Sequence, residues 1–332
     1  MDISQQQVLI AAWPGNGRFT IDQPINQNMV IGSEICARDP DAYSRKAFSQ
    51  WSAGIERLRS LDLDVLVLEA EYGASDAAFK RDNFACIGGK IVLAKHPSST
   101  RREEIEDIRR IIRSDYIVEL QGKDSYLEGG DVLAKTNGVI PIGWGPRTTY
   151  AAVEELRRLF PNERFLPLTI KGPHFHGDET VLAGAKCIHA DTAACFLPYG
   201  DLVVRRAALA YRSWKAAERL ATRGGRNIYR LSAKEAKDLA SNINAVTNGD
   251  LLAVPLNSDP GKESQLRDWL LKLGYNVHEL ECGNFVYSDG GWHCLVNKVG
   301  HEMLTPEAQA MLVAQRSEWQ TARQSGPNYA VA

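Results

Sequence analysis

The chain has 332 residues, of which 44% are hydrophobic and 24% are charged. This composition is typical of a folded globular protein and excludes collagen-like, coiled-coil and intrinsically disordered classes. Lysine and arginine total 39 against 41 for aspartate and glutamate, and the resulting net charge of -2 lacks the basic excess of a nucleic-acid-binding protein.

The N-terminal sequence MDISQQQVLIAAWPGNG has neither the basic start nor the long apolar run of a secretory signal. No stretch of the chain approaches the 18 or so consecutive apolar residues of a membrane span. The six cysteines are dispersed and form no CxxC pair, which favours reduced thiols over disulfides or a structural zinc site. We therefore expect a cytoplasmic protein with no membrane partner.

The elements that open the chain are a strand QVLIAAWP, an amphipathic helix AFSQWSAGIERLRSL and a strand DVLVLEAE. After them, one order occurs four times: an apolar strand, a glycine-bearing turn, a second strand, an amphipathic helix and a third strand. The four copies begin with FACIGGKIVLAKH, DVLAKTNGVIPIG, TAACFLPYGDLVV and INAVTNGDLLAVPL. Their turn glycines lie 49, 62 and 49 residues apart, so about 13 extra residues precede the third copy.

A fifth copy can be assembled only across the two termini, from CLVNKV near the end and QVLIAAWP at the start. Closing a last strand onto a first is how circular repeat folds remove exposed sheet edges. The pattern thus predicts one α/β domain over residues 1–302, a ring of five ββαβ modules around a central axis. Residues 303–332 are predicted to form a C-terminal helical extension.

The junctions that lead into the first strand of each module carry unusual side chains. If the modules share one orientation, these positions all face the central axis. The junctions are FKRDNFA with Asp82, YLEGGDV with Glu128 and Asp131, CIHADTA with His189 and Asp191, ASNINAV with Asn242, and GGWHCLV with Cys294. One cysteine, one histidine and several carboxylates are therefore predicted to meet in one channel.

The segments FKRDNFA, LEGGDVL, HADTAACFLPYGDLVV and GGWHCLV, in this order and at module spacing, resemble the guanidino-group-modifying superfamily. Its members include arginine deiminase, agmatine deiminase, dimethylarginine dimethylaminohydrolase and the amidinotransferases. The resemblance covers residues 8 to about 300 and implies a five-bladed α/β propeller, the pentein fold. The 13 extra residues and the WHC sequence depart from the commonest pattern.

The resemblance implies a hydrolase that acts on arginine or an arginine-like guanidine. Cys294 is then the nucleophile that forms a covalent amidino thioether, and His189 protonates the departing amine and later activates water. Glu128 is the third catalytic residue, while Asp82 and Asp191 bind the guanidinium, whose N–H donors suit carboxylate oxygens. The expected products are a ureido compound such as citrulline and ammonia or an amine.

A second histidine competes with His189, because PHFHGDET offers His176 with Asp178 at the same His-x-Asp spacing. Only His189 lies at a module junction, so we favour it. His174, His176 and Asp178 could also suggest a metal site, but no further ligands complete it, and no metal is expected.

Three other polar residues near the junctions are interpreted as structural: Asp131, Arg147 and Asn242. Two glycine-bearing sequences fail as nucleotide motifs. GNG at 15–17 lacks the third glycine of a dinucleotide fingerprint, and GGK at 88–90 lacks the Ser or Thr of a phosphate loop. No cofactor is therefore expected.

Two other function classes are weighed against hydrolysis. An amidinotransferase would replace water by an amine acceptor, and GGxHC does not separate it from deiminases. A non-catalytic binding propeller would have no need of Cys294, His189 and Glu128 together. The expected partner is a small guanidinium substrate, with no nucleic acid or membrane, and homo-oligomer formation is left open.

Overall fold

The computed structural model describes residues 7–14, 17–21, 27–70, 75–96, 101–171, 187–256 and 264–324. Within these ranges the strands are β1 (Gln7–Pro14), β2 (Asp64–Ala70), β3 (Phe84–Ile87), β4 (Lys90–Leu93), β5 (Ile117–Val118), β6 (Val139–Trp144), β7 (Arg164–Thr169), β8 (Ala194–Phe196), β9 (Leu202–Val204), β10 (Ile228–Arg230), β11 (Asn244–Ala245), β12 (Asp250–Ala253), β13 (Asn276–Glu279) and β14 (Val296–Gly300).

The α-helices of the same ranges are α1 (Gln27–Arg38), α2 (Pro40–Ser60), α3 (Glu104–Ile111), α4 (Tyr150–Leu159), α5 (Tyr211–Arg223), α6 (Ala233–Lys237), α7 (Gln265–Lys272), α8 (Gly283–Val286), α9 (Trp292–Leu295) and α10 (Pro306–Gln324). Short polar residues set several helix starts. Thr149 accepts a hydrogen bond from Ala152 N at the start of α4, and Ser264 accepts one from Arg267 N at the start of α7. None of the helices in the described part of the chain has both the length and the apolar character that crossing a bilayer needs.

The strands of the described residues form five small sheets, with orders β14-β1-β2, β3-β4-β5, β6-β7, β10-β9-β8 and β11-β12-β13. In four of these sheets the middle strand pairs antiparallel with one neighbour and parallel with the other. A hairpin followed by a helical crossover gives this arrangement, because parallel neighbours need a long connection. The fold is therefore mixed α/β and built from a repeated module.

The first sheet joins the two ends of the chain. β14 pairs antiparallel with β1 over Gln7↔Gly300 to Ala11↔Val296, and β1 pairs parallel with β2. Strand β1 is buried on both faces, so alternate side chains enter different hydrophobic clusters: Leu9 and Ala11 enter one, and Val8 and Ile10 enter the other. The N-terminal strand thus packs between two parts of the core.

The second module differs from the prediction, because DVLAKT does not form a regular strand. Only isolated bridges join Val132 to Ile142 and Thr136 to Val139. Leu133 N donates to Pro141 O at 3.0 Å, but proline has no N–H to donate in return. The ladder is therefore interrupted at Pro141, and the described sheet of this module has only β6 and β7.

Helix α10 covers the outer edge of β2. The Gln315 side chain accepts a hydrogen bond from Val67 N at 2.9 Å and donates one to Val67 O at 2.8 Å, as a neighbouring strand would. Leu312 and Ala308 are buried in the adjoining cluster. The helix therefore satisfies backbone groups that would otherwise leave an exposed edge.

The predicted site residues all lie just before the first strand of a module. Asp82 precedes β3, His189 and Asp191 precede β8, and Cys294 lies in the one-turn helix α9 that leads into β14. Glu128 precedes a 3₁₀ turn, Gly129–Asp131, and His189 precedes a matching turn, Ala190–Thr192. Equivalent places in the modules therefore supply the side chains of the site.

Candidate active site

The five predicted site residues form two groups of contacts. In one, Cys294 Sγ donates to Asp191 Oδ2 at 3.4 Å. In the other, His189 Nε2 lies 2.6 Å from Glu128 Oε2 and His189 Nδ1 lies 3.5 Å from Asp82 Oδ1. All five are buried. The charge of His189 helps to lower the pKa of Asp191, and Asp82 helps to raise the pKa of Cys294, so the two groups are linked electrostatically.

Asn242 holds Cys294 from the neighbouring module. Its Nδ2 donates to Cys294 Sγ at 3.0 Å, and its Oδ1 accepts from the backbone N of His293 at 3.0 Å. A Cβ at Gly291 would lie 2.7 Å from Asn242 Oδ1, so only glycine allows this approach. Asn242 thus bonds to backbone, as its interpretation as a structural residue implies, and its amide also contacts the sulfur itself.

Burial and the carboxylates of Asp191 and Asp82 raise the pKa of the Cys294 thiol well above its usual value. The hydrogen bond from Asn242 acts in the opposite direction but is the weaker influence. At neutral pH the substrate-free site therefore holds a thiol, and its proton points at Asp191.

His189 is held as a cation. Burial alone would lower its pKa, but the carboxylates of Asp82 and Glu128 outweigh burial and raise it to about 10. The backbone here is fixed by Thr192, whose Oγ1 donates to His189 O at 2.9 Å. The ring can therefore donate a proton at neutral pH.

Glu128 is fully buried beside three basic side chains. Its Oε1 lies 3.2 Å from His96 Nδ1 and 3.5 Å from Arg147 Nη1, and its Oε2 lies 3.6 Å from Arg101 Nη1. Burial raises the pKa of Glu128, but Arg147, His96 and the hydrogen bond to His189 together hold it well below the usual range. Glu128 is therefore an ionised partner for the His189 ring.

In both Asp82 and Asp191, one carboxylate oxygen contacts a basic side chain and the other oxygen makes no hydrogen bond among the described residues. Asp82 Oδ2 accepts from Arg101 Nη1 at 3.0 Å, and Asp191 Oδ2 lies 2.9 Å from His293 Nδ1. Both Oδ1 atoms are buried and have no hydrogen-bond partner among the described residues. Buried acceptors of this kind carry a free-energy cost unless a donor reaches them, so these oxygens are suited to a ligand with several N–H groups.

A buried ion network supports Asp82 from behind. Arg101 makes a bidentate contact with Glu104, with both N–O distances at 3.0 Å, and helix α3 carries Glu104. One turn further along α3, Asp107 pairs with the fully buried Lys80 at 3.2 Å. Opposite charges in a low-dielectric interior interact strongly, so this network fixes the Arg101 guanidinium and with it the Asp82 carboxylate.

Asp82, Glu128 and His189 also bring three potential metal ligands together, with ligand atoms within 4.8 Å of one another. The fit to a metal ion is poor, because the Arg101 guanidinium already holds Asp82 Oδ2 at 3.0 Å and the His189 ring is a further cation among these carboxylates. Glu128 Oε2 is occupied by the same ring at 2.6 Å. The donor set suits an organic cation better than a metal.

Three residues of the sequence prediction, His174, His176 and Asp178, lie outside the described residues. The preference for His189 over His176 therefore stays a prediction, although His189 does contact Asp82 and Glu128.

Sequence reasoning misses several residues of the site. His293 stands in the GGWHC sequence itself, yet the motif assigns no role to it. Arg147 is interpreted as structural from the sequence, but its guanidinium lies beside Glu128. His96 and Arg101 follow β4, and no motif singles them out. The signal that could have found them is the need of buried carboxylates for cationic partners.

The family model for N,N dimethylarginine dimethylhydrolase of eukaryotes matches residues 17–299 of this chain. A dimethylarginine dimethylaminohydrolase from Pseudomonas aeruginosa is 21% identical over 253 residues, which cover 75% of this chain and 87% of that protein. An uncharacterized protein, YkgA from Bacillus subtilis, is 23% identical over 256 residues. The match covers 77% of this chain and 81% of that protein.

Solved structures show the same fold. The N-terminal domain of ArgZ, an arginine dihydrolase from cyanobacteria, matches with a TM-score of 0.71 at 18% identity and covers 88% of this chain and 98% of that domain. A dimethylarginine dimethylaminohydrolase matches with a TM-score of 0.63 at 18% identity, with the same two coverages. At such identities the likeness concerns the fold alone.

Proposed function

Because the chain belongs to the N,N-dimethylarginine dimethylhydrolase family of guanidino-group-modifying enzymes, we propose that it hydrolyses the guanidinium group of arginine or an arginine-like molecule through a covalent intermediate on Cys294. One observation carries the proposal. A buried thiol is hydrogen-bonded to Asp191 and feels the charge of Asp82, and the Oδ1 atoms of these two buried carboxylates make no hydrogen bond among the described residues. A guanidinium supplies planar N–H donors for both.

The first step is binding of the substrate cation between Asp82 and Asp191. Its positive charge offsets the carboxylates that hold the thiol pKa high, so once substrate is bound the thiol ionises more easily and its proton passes to solvent. Asn242 Nδ2 then stabilises the thiolate by the hydrogen bond it already makes to Sγ. The nucleophile thus forms where its target carbon lies.

In the second step the Cys294 thiolate attacks the central carbon of the guanidinium and forms a C–S bond. The C–N bond to the leaving amine breaks, and the amine takes the proton of the His189 cation. Glu128 orients the His189 ring by the 2.6 Å contact. The product of this step is an amidino thioether on Cys294 and a neutral His189.

In the third step His189 accepts a proton from a water molecule that attacks the same carbon. Collapse of the tetrahedral intermediate breaks the C–S bond and releases a ureido product, and the proton of the attached hydroxyl group returns to the departing sulfur to restore the thiol. Water and the leaving amine use the same side of the carbon, so one histidine serves both proton transfers. The enzyme ends the cycle as it began, with Cys294 as a thiol and His189 protonated.

The named relatives support this scheme. The Pseudomonas relative is a dimethylarginine dimethylaminohydrolase, and ArgZ is an arginine dihydrolase. The N-terminal domain of ArgZ has been captured covalently bonded to a reaction intermediate. These findings favour covalent hydrolysis as the activity of the present site.

For the architecture, we propose that the five sheets are the blades of a five-bladed α/β propeller, the pentein fold, with residues 1–302 as one catalytic domain. Residues 303–332 are then a helical extension, of which α10 packs on β2. The repeated strand pairing and the pairing of β1 with β14 support this proposal.

The test is product analysis with a panel of guanidines: arginine, methylated arginines and agmatine, each with and without glycine or lysine as acceptor. Hydrolysis predicts a ureido product and ammonia or an alkylamine at a rate independent of added amine. A new guanidino compound formed only with the amine would replace hydrolysis by amidino transfer. No turnover of any guanidine would end the proposal.

A further inference from the structure

We propose that His293 is a positioning residue that holds Asp191 in the orientation needed to receive the substrate guanidinium. The inference rests on the proposed function, because it concerns how that site binds its substrate. It assigns a role to the residue directly before Cys294, whose ring contacts the Asp191 carboxylate.

The geometry leaves His293 little freedom. Its backbone N donates to Asn242 Oδ1 at 3.0 Å, which fixes the start of α9, and its ring Nδ1 lies 2.9 Å from Asp191 Oδ2. The same Oδ2 atom accepts the hydrogen bond from Cys294 Sγ. With Oδ2 engaged on both sides, the carboxylate plane is set and Oδ1 is the atom left for substrate.

The protonation states favour a neutral donor. Burial, then Arg81, lower the pKa of His293, while the hydrogen bond to His293 helps to hold the pKa of Asp191 low. An ionised Asp191 can only accept, so Nδ1 of the neutral ring carries the hydrogen. A neutral donor orients the carboxylate and leaves its negative charge available to the substrate cation. A lysine or arginine in this place would neutralise that charge.

The ring is also accessible without disturbing the packed core. His293 lines a cavity of about 460 Å³ together with Asp191, Arg81 and Lys298. Its side chain is 17% exposed, whereas that of Asp191 is 2% exposed. Substitution of His293 should therefore be tolerated by the fold, because one side of the ring meets open space.

Other charged and titratable groups near Cys294 and Asp191 come from several junctions and strands. They are Arg81, Asp82, His189, Cys195 and Lys298. None of them changes in a His293 variant. A shift in the titration of Cys294 between such variants can therefore be assigned to the lost contact with Asp191.

The experiment compares His293→Asn with His293→Leu. An asparagine amide lies close to where Nδ1 of histidine lies and can still donate to Asp191, whereas leucine fills similar space without a donor. Loss of a hydrogen bond to a charged group is worth about 1.5–3 kcal/mol, so we expect KM to rise by roughly 10- to 100-fold in His293→Leu with a smaller fall in kcat. The KM and kcat of His293→Asn should lie much closer to the wild-type values.

A second readout needs no substrate. Without the His293 donor, the charge of Asp191 should raise the pKa of the Cys294 thiol further, so alkylation of Cys294 by iodoacetamide should be slower at neutral pH in His293→Leu and recover in His293→Asn. The rate is followed by mass spectrometry of the Cys294 peptide. The matched control is His278→Leu, which removes a comparable His–Asp contact, to Asp250 at 3.0 Å, outside the site.

Wild-type KM and alkylation rates in His293→Leu would overturn the proposal. Equal impairment in His293→Asn and His293→Leu would also overturn it, because a purely steric role does not depend on a donor. If the wild-type protein turns over no guanidine, the proposed function fails, but the alkylation series still tests the contact between His293 and Asp191.

Discussion

His189 and Cys294 both carry a proton in the substrate-free site, and the carboxylates between them are the reason. Asp82 and Glu128 raise the pKa of His189 to about 10, while Asp191 and Asp82 act with burial to raise the pKa of the thiol. In the proposed mechanism, the acid for the leaving amine is thus ready before substrate arrives, whereas the nucleophile is not. In this scheme the positive charge of the bound substrate lowers the thiol pKa. The thiol therefore stays protonated, and less reactive, while the site is empty.

Glu128→Gln tests the acid role of His189 through pH. The change removes a carboxylate that raises the pKa of His189, so the pKa falls and the ring loses its proton at lower pH. We expect kcat to fall several-fold more at about pH 9 than at about pH 6 relative to wild type.

The measurement is a kcat profile against pH, with Glu119→Gln as the control because Glu119 pairs with Arg109 on the surface. In wild type, the contribution of His189 to stability is complete below its unfolded pKa of about 6.5 and is lost as pH rises through about 10. A pH profile of Glu128→Gln parallel to that of wild type would contradict the acid role assigned to His189.

At the level of single residues, the sequence predicts that Cys294, His189 and Asp82 belong to the site, because a module junction fixes the backbone position of each. It does not predict that Asn242 contacts the sulfur or that His293 contacts Asp191, because these contacts depend on how the side chains rotate. Arg101 escapes prediction for another reason. It follows the second strand of a module, and the repeat period says nothing about where that loop folds.

Among the elements, the turn Gly129–Asp131 packs closely against the side chains of the site. A Cβ at Gly130 would lie 2.8 Å from Asp82 Oδ1 and 3.0 Å from His189 Cγ. These distances are too short for an added carbon, so the carboxylate and the ring would have to move apart. The glycine pair therefore allows the backbone of one module to reach the side chains of two others.

Gly130→Ala should lower kcat/KM by roughly 100-fold or more, because displacements of about 1 Å in a catalytic group have effects of this size. Gly249→Ala is the matched control, since a Cβ added there would meet no other atom of the described residues within 4 Å. Activity measurements on both variants, with circular dichroism to check folding, make the test. Equal activity of the two variants would show that the close approach at Gly130 is not required.

The second module shows where pattern reading fails at the level of elements. DVLAKTNGVIPIG has the alternation and the turn of a hairpin, and its Asn137 and Gly138 have the positive φ angles, 48° and 72°, of a tight hairpin turn. Pro141 nevertheless removes the donor that would pair with Leu133. The proline is itself a sequence signal against a regular strand pair at this position.

For the whole molecule, the pairing of β1 with β14 has a thermodynamic consequence. The two ends of the chain share one sheet, and β1 contributes to two hydrophobic clusters. Neither half of the chain can unfold without exposing core of the other. We therefore expect one cooperative thermal transition, with equal calorimetric and van't Hoff enthalpies. Two separated transitions in scanning calorimetry would contradict a single domain.

The repeat made the general architecture predictable because each module cannot bury its apolar face alone and must stack on neighbours. The repeat also indicated that the termini would meet, and β14 does pair with β1. The repeat period does not predict the buried ion network next to α3. The partners in this network come from a helix, a loop and a junction, which the repeat pattern treats separately.

The central claim is that Cys294 forms a covalent bond to the substrate. Its direct test is intact-mass analysis of quenched mixtures of enzyme and guanidine substrate, with peptide mapping of any adduct. In His189→Gly, an amidino adduct that still forms on Cys294 should persist, because water is no longer activated to resolve it.

Cys294→Ser should form no adduct and lose at least about 10³-fold in kcat, whereas the control Cys195→Ser should retain most activity. An adduct on another cysteine, or wild-type turnover by Cys294→Ser, would contradict the account.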